Sequence, residues 1–364
     1  MLDPFRLIGP VLRSFEAERA HHLTITALKS GLVPNWAMIE DDPCLSMRLW
    51  GLTFPNPVGM AAGFDKNAEV IDPLLQLGFG FVEAGTVTPK PQSGNPQPRI
   101  FRLPECQGMI NRLGFNNQGL EAFAARLAAR AARSRRSVGL VGANVGRNKE
   151  TPDEIADYEI GLRRLAPFAD YLVINISSPN TPGLRTLQGR GPLTALLERA
   201  LKARAQGLVG LDRTRPIPPL LVKIAPDLSD EDLSDIAEVA LASGIDGLII
   251  SNTTVSRTEI GDSPNAAESG GLSGKPLFVR STALIGKMHR LLSGRLPIIG
   301  VGGVASPDGA YAKIRAGASL IQLYTALVYQ GPLLVARIKS GLVQRLRADG
   351  FSSLAQAVGV DAPK

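Results

Sequence analysis

The chain has 364 residues, of which 44% are hydrophobic and 20% are charged, a composition typical of a soluble globular protein with one large domain or two ordinary ones. Its formal charge is +7, but no aromatic residues interleave with its densest arginine segment, which argues against a nucleic-acid partner. Two distant cysteines and three histidines suggest neither a disulfide framework nor a histidine-ligated centre, so we expect no metal.

Residues 1–40 differ from the rest of the chain. Apolar residues recur there at three- and four-residue spacing, which predicts a short amphipathic helix: Phe5, Ile8, Val11, Leu12 and Phe15. A second helix is predicted over Glu18 to Lys29. Neither contains the roughly 18 consecutive apolar residues of a membrane span, and no signal or transit peptide is indicated. A helical lid and an interfacial membrane anchor both remain open as interpretations, and both can hold together.

From residue 57 onward, apolar runs of strand length alternate with segments of helical composition. The runs occupy residues 57–63, 79–88, 138–146, 171–178, 219–226, 246–253, 296–304 and 320–328. Helices are predicted over Glu121 to Ala132 and over Ser229 to Ala242, the latter opened by a cap-like pair of Ser229 and Asp232. Eight alternations predict an α/β fold, a (β/α)8 TIM barrel over residues 41–364.

A doubly wound sheet is the alternative fold. Against it, Gly139, Gly142 and Gly146 do not have the spacing of a dinucleotide-binding loop. The densest arginine segment favours a solvated helix face, with an anionic membrane surface as the second interpretation: Arg126, Arg130, Arg133, Arg135 and Arg136.

Polar side chains follow each predicted strand, at the end of a barrel that carries its chemistry. In Y-L-V-I-N-I-S-S-P-N-T-P-G (171–183), a buried strand breaks into a loop of amides and hydroxyls. The whole set has two lysines and almost no carboxylates: Lys66, Thr86, Asn144, Asn175, Ser178, Asn180, Lys223, Ser251, Asn252, Thr253, Gly302, Gly303, Tyr324 and Thr325. It suits a flat, polar, anionic heterocycle better than metal-dependent hydrolysis. Gly302 and Gly303, with Gly274 before them, predict a phosphate site and hence a phosphorylated cofactor.

Five motifs resemble dihydroorotate dehydrogenases of the membrane-associated, quinone-using class: N-P-V-G-M-A-A-G-F-D-K-N (56–67), E-A-G-T-V-T-P-K-P-Q-x-G-N-P-x-P-R (83–99), N-R-L-G-F-N-N-x-G (111–119), N-I-S-S-P-N-T-P-G-L-R (175–185) and I-G-V-G-G-V (299–304). The resemblance covers essentially the whole chain. It implies oxidation of (S)-dihydroorotate to orotate in pyrimidine biosynthesis, with bound FMN and a membrane quinone as acceptor. It also implies a peripheral enzyme on the cytoplasmic face of the bacterial inner membrane, with residues 1–40 as a membrane and quinone-access element. The alternatives are a fumarate- or NAD-linked FMN barrel and a non-redox phosphate-binding barrel.

Residue by residue, the resemblance implies two binding sets. The first would hold FMN: Ala62, Gly63, Lys66, Thr86, Asn144, Asn175, Lys223, Ser251, Gly274, Gly303, Tyr324 and Thr325. The second would hold dihydroorotate: Lys66, Asn111, Arg112, Leu113, Gly114, Phe115, Asn175, Asn180, Asn252 and Thr253. Asparagines supply paired donors and acceptors for a planar diamide ring, and Lys66 supplies a cation for its carboxylate.

The resemblance makes Ser178 the catalytic base, where soluble relatives have a cysteine, and makes Phe115 and Thr181 part of the route for its proton. His289 lies on a predicted helix far from any strand end, so a Ser-His-Asp hydrolase would lack its base. No iron–sulfur cysteine set or dinucleotide fingerprint offers another electron outlet, which favours a lipid-soluble acceptor. His21, Arg102 and Tyr324 match positions that line the quinone tunnel. A surface histidine and a loop arginine are ordinary alternatives for the first two.

Overall fold

The computed structural model describes residues 3, 5–31, 41–133, 139–210, 216–261 and 263–362. The predicted domain boundary after residue 40, the start of the third predicted strand at Val138, and Arg135 and Arg136 fall outside these ranges.

Eight parallel strands close into a barrel in which chain order and spatial order coincide. They are β1 (Val58–Met60), β2 (Phe81–Val87), β3 (Leu140–Val145), β4 (Tyr171–Asn175), β5 (Leu220–Ile224), β6 (Gly247–Ile250), β7 (Ile298–Val301) and β8 (Ala318–Leu323). Helices cover the outside of the barrel, so the strands are buried on both faces and their sequences are almost continuously apolar. The predicted TIM barrel is therefore confirmed.

The helices are α1 (Phe5–Ser14), α2 (Ala17–Lys29), α3 (Ile71–Gln76), α4 (Leu120–Ala131), α5 (Ala156–Leu165), α6 (Arg190–Gln206), α7 (Asp230–Ser243), α8 (Phe278–Leu291), α9 (Pro307–Arg315), α10 (Thr325–Gln330), α11 (Leu333–Ala348) and α12 (Leu354–Ala357). The cap predicted at Ser229 is confirmed: its hydroxyl accepts from the Asp232 N–H at 3.1 Å, and the Asp232 carboxylate accepts from the Ser229 N–H at 2.9 Å. None of the described helices combines the length and apolar character needed to cross a bilayer.

One strand prediction is wrong in its second half. The apolar run 320–328 was expected to be a strand throughout, but β8 ends at Leu323 and α10 begins at Thr325. Periodicity alone does not separate a buried strand from one turn of buried helix, because both are continuous apolar runs.

Aromatic side chains fill the barrel interior near the amino ends of the strands. A Cβ on Gly59 would lie 2.3 Å from the Phe81 ring, and one on Gly142 would lie 2.1 Å from the Tyr171 ring, so both rings occupy space that only glycine leaves open. The ring of Phe54, from the hairpin Met47–Leu49 and Leu52–Phe54, packs edge-on against Phe81. This end of the barrel is a packed core, and the opposite end is left for the site.

A small antiparallel sheet, which we did not predict, stands beside the carboxyl ends of the barrel strands. It consists of Ile100–Leu103, Gly108–Asn111 and Gly271–Gly274. Arg102 in this sheet donates to the carbonyl oxygens of Arg13 and Phe15 at 3.1 and 2.7 Å, which fixes the link between α1 and α2 against it.

The predicted N-terminal helices are confirmed, but the predicted apolar stripe divides between two surfaces. The Phe5 ring packs where a Cβ on Gly331 would lie only 2.3 Å away, so this residue faces the barrel. Ile8 and Val11 are 53% and 59% exposed, and Leu7 beside them is 81% exposed.

The arginines of α4 do not form a bare solvated face, contrary to the first interpretation. Arg130 is buried and its Nε lies 2.8 Å from the Asp72 carboxylate, while Arg126 donates to the Asn67 carbonyl oxygen at 2.9 Å. Arg133 alone among the described three projects mainly into solvent. Arg126 and Arg130 therefore anchor α4 to neighbouring parts of the chain.

Candidate active site at the carboxyl ends of the barrel strands

One cavity opens at the carboxyl ends of the strands and holds about 1280 Å³ of space between its walls and at its mouth. It brings together Ser178 and nearly all the predicted binding residues: Ala62, Gly63, Lys66, Thr86, Asn111, Leu113, Gly114, Phe115, Asn175, Asn180, Lys223, Ser251, Asn252, Thr253, Gly274, Gly303, Tyr324 and Thr325. The convergence follows from barrel closure, since every parallel strand ends on the same side.

Two predicted residues do not present their side chains to the cavity. Asn144 is fully buried behind Thr86, whose hydroxyl donates to it at 2.6 Å. The Arg112 guanidinium pairs with Glu268 at 2.5 Å and lies over the Phe101 ring, outside the cavity. The side chain of Arg112 is thus engaged elsewhere, and its backbone N–H and carbonyl oxygen bond to the Arg99 carbonyl oxygen and the Asn95 amide, each at 2.9 Å.

A chain of amides links the walls of the cavity, with Asn175 at its centre. The Asn175 amide donates to the Thr86 hydroxyl at 2.8 Å, and the Asn252 amide donates to the Asn175 oxygen at 3.2 Å and to the Ser177 hydroxyl at 2.9 Å. Asn180 donates to the Asn111 carbonyl oxygen at 3.1 Å. Because these amides hold one another in place, their remaining donors and acceptors are already oriented for a flat polar ligand.

Ser178 lies in the loop after β4 and is buried. Its hydroxyl oxygen accepts from the Asn180 N–H at 3.2 Å, an interaction that stabilises negative charge on that oxygen. Arg185 clamps this loop: it donates to the Ser177 carbonyl oxygen at 3.0 Å, to the Thr253 carbonyl oxygen at 2.9 Å and to the Asp227 carboxylate at 2.9 Å. Three loops around Ser178 are thereby held at one junction.

Three lysines line the cavity, Lys66, Lys223 and Lys275, and the first two have a lowered pKa. Enclosure by the cavity walls lowers the pKa of Lys66 to about 8, despite the nearby Glu18 carboxylate. Burial also lowers the pKa of Lys223, which the Glu83 carboxylate partly opposes. Both ammonium groups are therefore poorly hydrated and would gain from an anionic ligand.

The sequence reasoning missed several residues of the site, among them Gln322, which lines the cavity, and Glu83, which lies behind it. Glu83 in β2 and Gln322 in β8 are fully buried, and the Gln322 amide donates to the Glu83 carboxylate at 2.6 Å. Glu83 also accepts from the Asn144 amide at 2.7 Å. Their signal was a charged and a polar residue inside strands expected to be buried on both faces, where such groups are rare unless paired.

His21 and Tyr324 meet at the edge of the cavity. The Tyr324 hydroxyl lies 3.4 Å from the His21 Nδ1, and both rings pack against Phe64. Burial, together with the charges of Lys66 and His22, holds the pKa of His21 well below its usual value, so the ring is neutral near pH 7. Arg102, the third residue predicted for a tunnel, holds the α1–α2 link.

A sequence model of the family described as dihydroorotate dehydrogenase matches residues 44–346. The chain belongs to the dihydroorotate dehydrogenase family. It is 58% identical over 361 residues to a protein of Rhodospirillum rubrum named dihydroorotate dehydrogenase (quinone), covering 99% of this chain and 95% of that one. A protein of Xanthobacter autotrophicus with the same name is 56% identical, covering 99% of each chain. The crystal structure of DHODH from Eimeria tenella in complex with ferulenol matches with a TM-score of 0.92 and 42% identity, over 97% of this chain and 99% of that one.

Dihydroorotate dehydrogenases are flavin-dependent oxidoreductases of pyrimidine biosynthesis, and the cavity fits a flavin. The side-chain oxygen of Gln322 is buried at the cavity without a hydrogen-bond partner among the described residues. A Cβ on Gly63 would meet only the Tyr324 ring, at 3.9 Å, so the space beside this glycine is open. An unsatisfied acceptor, open space and lysine side chains in the wall suit a planar heterocycle that carries an anionic group.

Proposed function

We propose that this protein oxidises dihydroorotate to orotate, with FMN as its bound flavin and a membrane quinone as the electron acceptor. The observation that carries the proposal is the position of Ser178: a buried hydroxyl in the loop after β4, in one cavity with four asparagines and three lysines. A serine in such a place suits removal of a proton from carbon, since no described histidine lines the cavity to make it a hydrolase nucleophile.

In the proposed reaction, dihydroorotate loses a proton from one carbon and a hydride from its neighbour, and a carbon–carbon double bond forms between them. Ser178 would take the proton on its hydroxyl oxygen while the hydroxyl's own proton passes into the exit route, and the Asn180 N–H would stabilise the partial negative charge on the oxygen during this transfer. Phe115 and Thr181 are buried beside this loop and are proposed to shape the route by which the proton leaves. Lys66 would hold the substrate carboxylate, and Asn111, Asn175, Asn180 and Asn252 would hold the ring.

The proposed FMN-binding residues are the first set given in the sequence analysis. All of them line the cavity except Asn144, which accepts a hydrogen bond from Thr86 and would hold that side chain in place. Bound FMN supplies the hydride acceptor and the store from which electrons pass to quinone. The protein's part is to exclude water, to orient the substrate against the flavin and to hold the proton-accepting oxygen in place.

Residues 1–40 are proposed as the membrane and quinone-access element, and residues 41–364 as the catalytic barrel. The exposed apolar side chains of Leu7, Ile8 and Val11 suit burial in the interfacial region of a bilayer, and Arg6 beside them favours anionic lipid. The contact of His21 with Tyr324 places a side chain of α2 at the edge of the flavin cavity. We propose a peripheral position on the cytoplasmic face of the bacterial inner membrane.

The test is a pair of half-reactions on purified full-length protein. The released flavin should be FMN by chromatography against authentic FMN and FAD. Dihydroorotate should bleach the bound flavin without oxygen, and a water-soluble quinone should restore its absorbance in stopped flow, whereas fumarate and NAD⁺ should not. Faster reoxidation by fumarate or NAD⁺ than by quinone would overturn the choice of acceptor, and no bleaching would overturn the substrate.

A further inference from the structure

Lys313 on α9 is a cation inside the protein without an acid to balance it. Its side chain is 0% exposed, and no described carboxylate forms an ion pair with it. Its Nζ instead donates to the Ser281 hydroxyl at 2.6 Å and the Thr282 hydroxyl at 3.0 Å, and lies 5.1 Å from the centre of the Phe278 ring. Buried lysines are rare without a carboxylate, because the charge loses its hydration.

The hydroxyl that Lys313 contacts is tied to the glycine loop of the cavity. The Ser281 hydroxyl lies 3.1 Å from the Gly302 carbonyl oxygen and 3.2 Å from the Phe278 carbonyl oxygen, either of which can accept its one proton, and Gly302 and Gly303 line the cavity. The peptide bond between these glycines is trans, so its C=O and N–H point in opposite directions. Since the carbonyl is held towards Ser281 and Lys313, the Gly303 N–H is directed away from them, and no described residue accepts a hydrogen bond from it.

The backbone of the same loop is held in place by close packing. Gly303 has φ of +73°, and a Cβ there would lie 2.5 Å from Phe278 Cβ and 2.8 Å from its backbone nitrogen. The start of α8 is therefore packed directly against Gly303, and the ring of Phe278 is also the one beneath Lys313. Lys313, Ser281 and Phe278 thus form one packed unit directly behind Gly302 and Gly303.

We propose that Lys313 is a positioning residue for the cofactor phosphate: through Ser281 it orients the Gly302–Gly303 peptide so that the Gly303 N–H meets the phosphate, and its charge favours a phosphomonoester dianion. The inference rests on the proposed use of FMN and deepens it, because it assigns this chain's preference for a phosphorylated flavin to a residue outside the cavity wall. Burial lowers the pKa of Lys313 to about 7, so an anion beyond the loop would stabilise its charged form.

A second buried lysine, Lys339, has the contacts expected of a structural role alone. Lys339 on α11 is also buried, but its Nζ lies 2.5 Å from the Asp41 carboxylate, which balances its charge within the protein. Lys313 has only neutral partners and lies behind an anion-binding loop. Lys339 is therefore the matched control.

The experiment measures the dissociation constants of FMN and riboflavin for full-length protein freed of flavin by dialysis, using quenching of flavin fluorescence. The two flavins share the ring system and differ in the phosphate, so their affinity ratio isolates phosphate recognition. We expect Lys313→Met to weaken FMN binding roughly tenfold or more and to leave riboflavin binding unchanged, since hydrogen bonds to charged groups are worth about that factor. Lys339→Met should leave the ratio unchanged.

Equal weakening of both flavins in Lys313→Met, or an unchanged ratio, would overturn the proposal. If Lys313→Met does not fold, Ser281→Ala decides, because it breaks the same link: selective loss of FMN affinity supports the proposal, and equal loss overturns it. Failure of the wild-type protein to bind either flavin would instead overturn the proposed use of FMN.

Discussion

At the scale of single residues, the proposed chemistry depends on Ser178 and on the groups around it. Ser178 accepts a backbone hydrogen bond and lies on a loop that Arg185 fixes to two neighbouring loops. A free alcohol is a very weak base at neutral pH. The loop must therefore keep water away from the substrate carbon that loses its proton, and it must hold the Ser178 oxygen in a fixed position.

Replacing Ser178 by Ala should slow reduction of the bound flavin by dihydroorotate by roughly two or more orders of magnitude, the usual scale for a lost general base. Reoxidation of the reduced flavin by quinone should keep its wild-type rate, because it does not use this proton. Stopped-flow absorbance of the two half-reactions in one preparation measures both. A near-normal reduction rate in the variant would remove Ser178 as the base.

Lys66 should make substrate binding depend on pH. Its lowered pKa of about 8 means that the ammonium is present below that pH and is lost as the pH rises through it. We therefore expect the affinity for orotate, whose carboxylate needs the cation, to be constant from pH 6.5 to about 7.5 and to fall above about 8. Bound anion opposes the loss of the proton, so the midpoint in the complex should lie higher than in the free protein.

Spectral titration of the flavin with orotate across this range measures the effect. Lys66→Met should bind orotate more weakly and without the fall above about pH 8. The assignment of Lys66 fails if that variant keeps the wild-type pH dependence.

At the scale of elements, α2 is joined to the barrel by one buried and one exposed ion pair. Glu18 and Arg99 are both buried, and their closest atoms lie 2.6 Å apart. Burial alone would raise the pKa of Glu18, but the hydrogen bonds and charge of Arg99 hold it below its usual value. Arg99 also donates to the carbonyl oxygens of Ser93 and Asn95, so the pair connects α2 to the loop that contains these two residues.

Replacing Glu18 by Ala should lower the free energy of unfolding on the order of 3 kcal/mol, because it leaves Arg99 buried without its partner. The matched control is Lys29→Ala, which removes the 2.9 Å pair with Glu69 at the other end of the same helix. That lysine is half exposed, so its loss should cost below about 1 kcal/mol.

Urea unfolding gives the two free energies, and hydrogen exchange should show faster opening of α2 in the Glu18 variant. Similar values for both variants would show that the buried pair does not hold the helix.

At the scale of the whole molecule, α1 presents one face to the barrel and one to its surroundings. Phe5 is covered by the loop at Gly331, whereas Leu7 and Val11 are exposed. We propose that this exposed apolar surface binds a bilayer, where a lipid-soluble acceptor is dissolved.

The double change Leu7→Glu and Val11→Glu should therefore weaken binding to vesicles that contain anionic lipid at least roughly tenfold, since it places two charges where apolar burial is proposed. Reduction of the flavin by dihydroorotate should be unchanged, because neither residue lines the cavity. Val209→Glu is the control, because Val209 is 80% exposed but follows α6 on the barrel. Vesicle sedimentation that is equal for the double variant and this control would contradict the docking surface.

Much of the architecture could be predicted from the sequence because it depends on short-range pattern. The run Tyr171 to Ile176 is apolar over the length of a strand and then breaks at Ser177, which marks a strand end wherever the chain lies in space. The Ser229 cap likewise depends on residues three positions apart. Once eight strands are known to be parallel, their carboxyl ends must share one side, so the residues of the cavity followed from the fold class.

What only the tertiary structure decided are contacts between positions far apart in the chain. Glu83 pairs with Gln322 across 239 positions, and Glu18 pairs with Arg99 across 81. Arg112 was assigned to the substrate by its place in a motif, yet the distant Glu268 holds its side chain outside the cavity. Sequence pattern reports which face of an element is buried, because burial follows the period of that element. It does not report which partner satisfies a buried charge, because that partner is chosen by how the barrel closes.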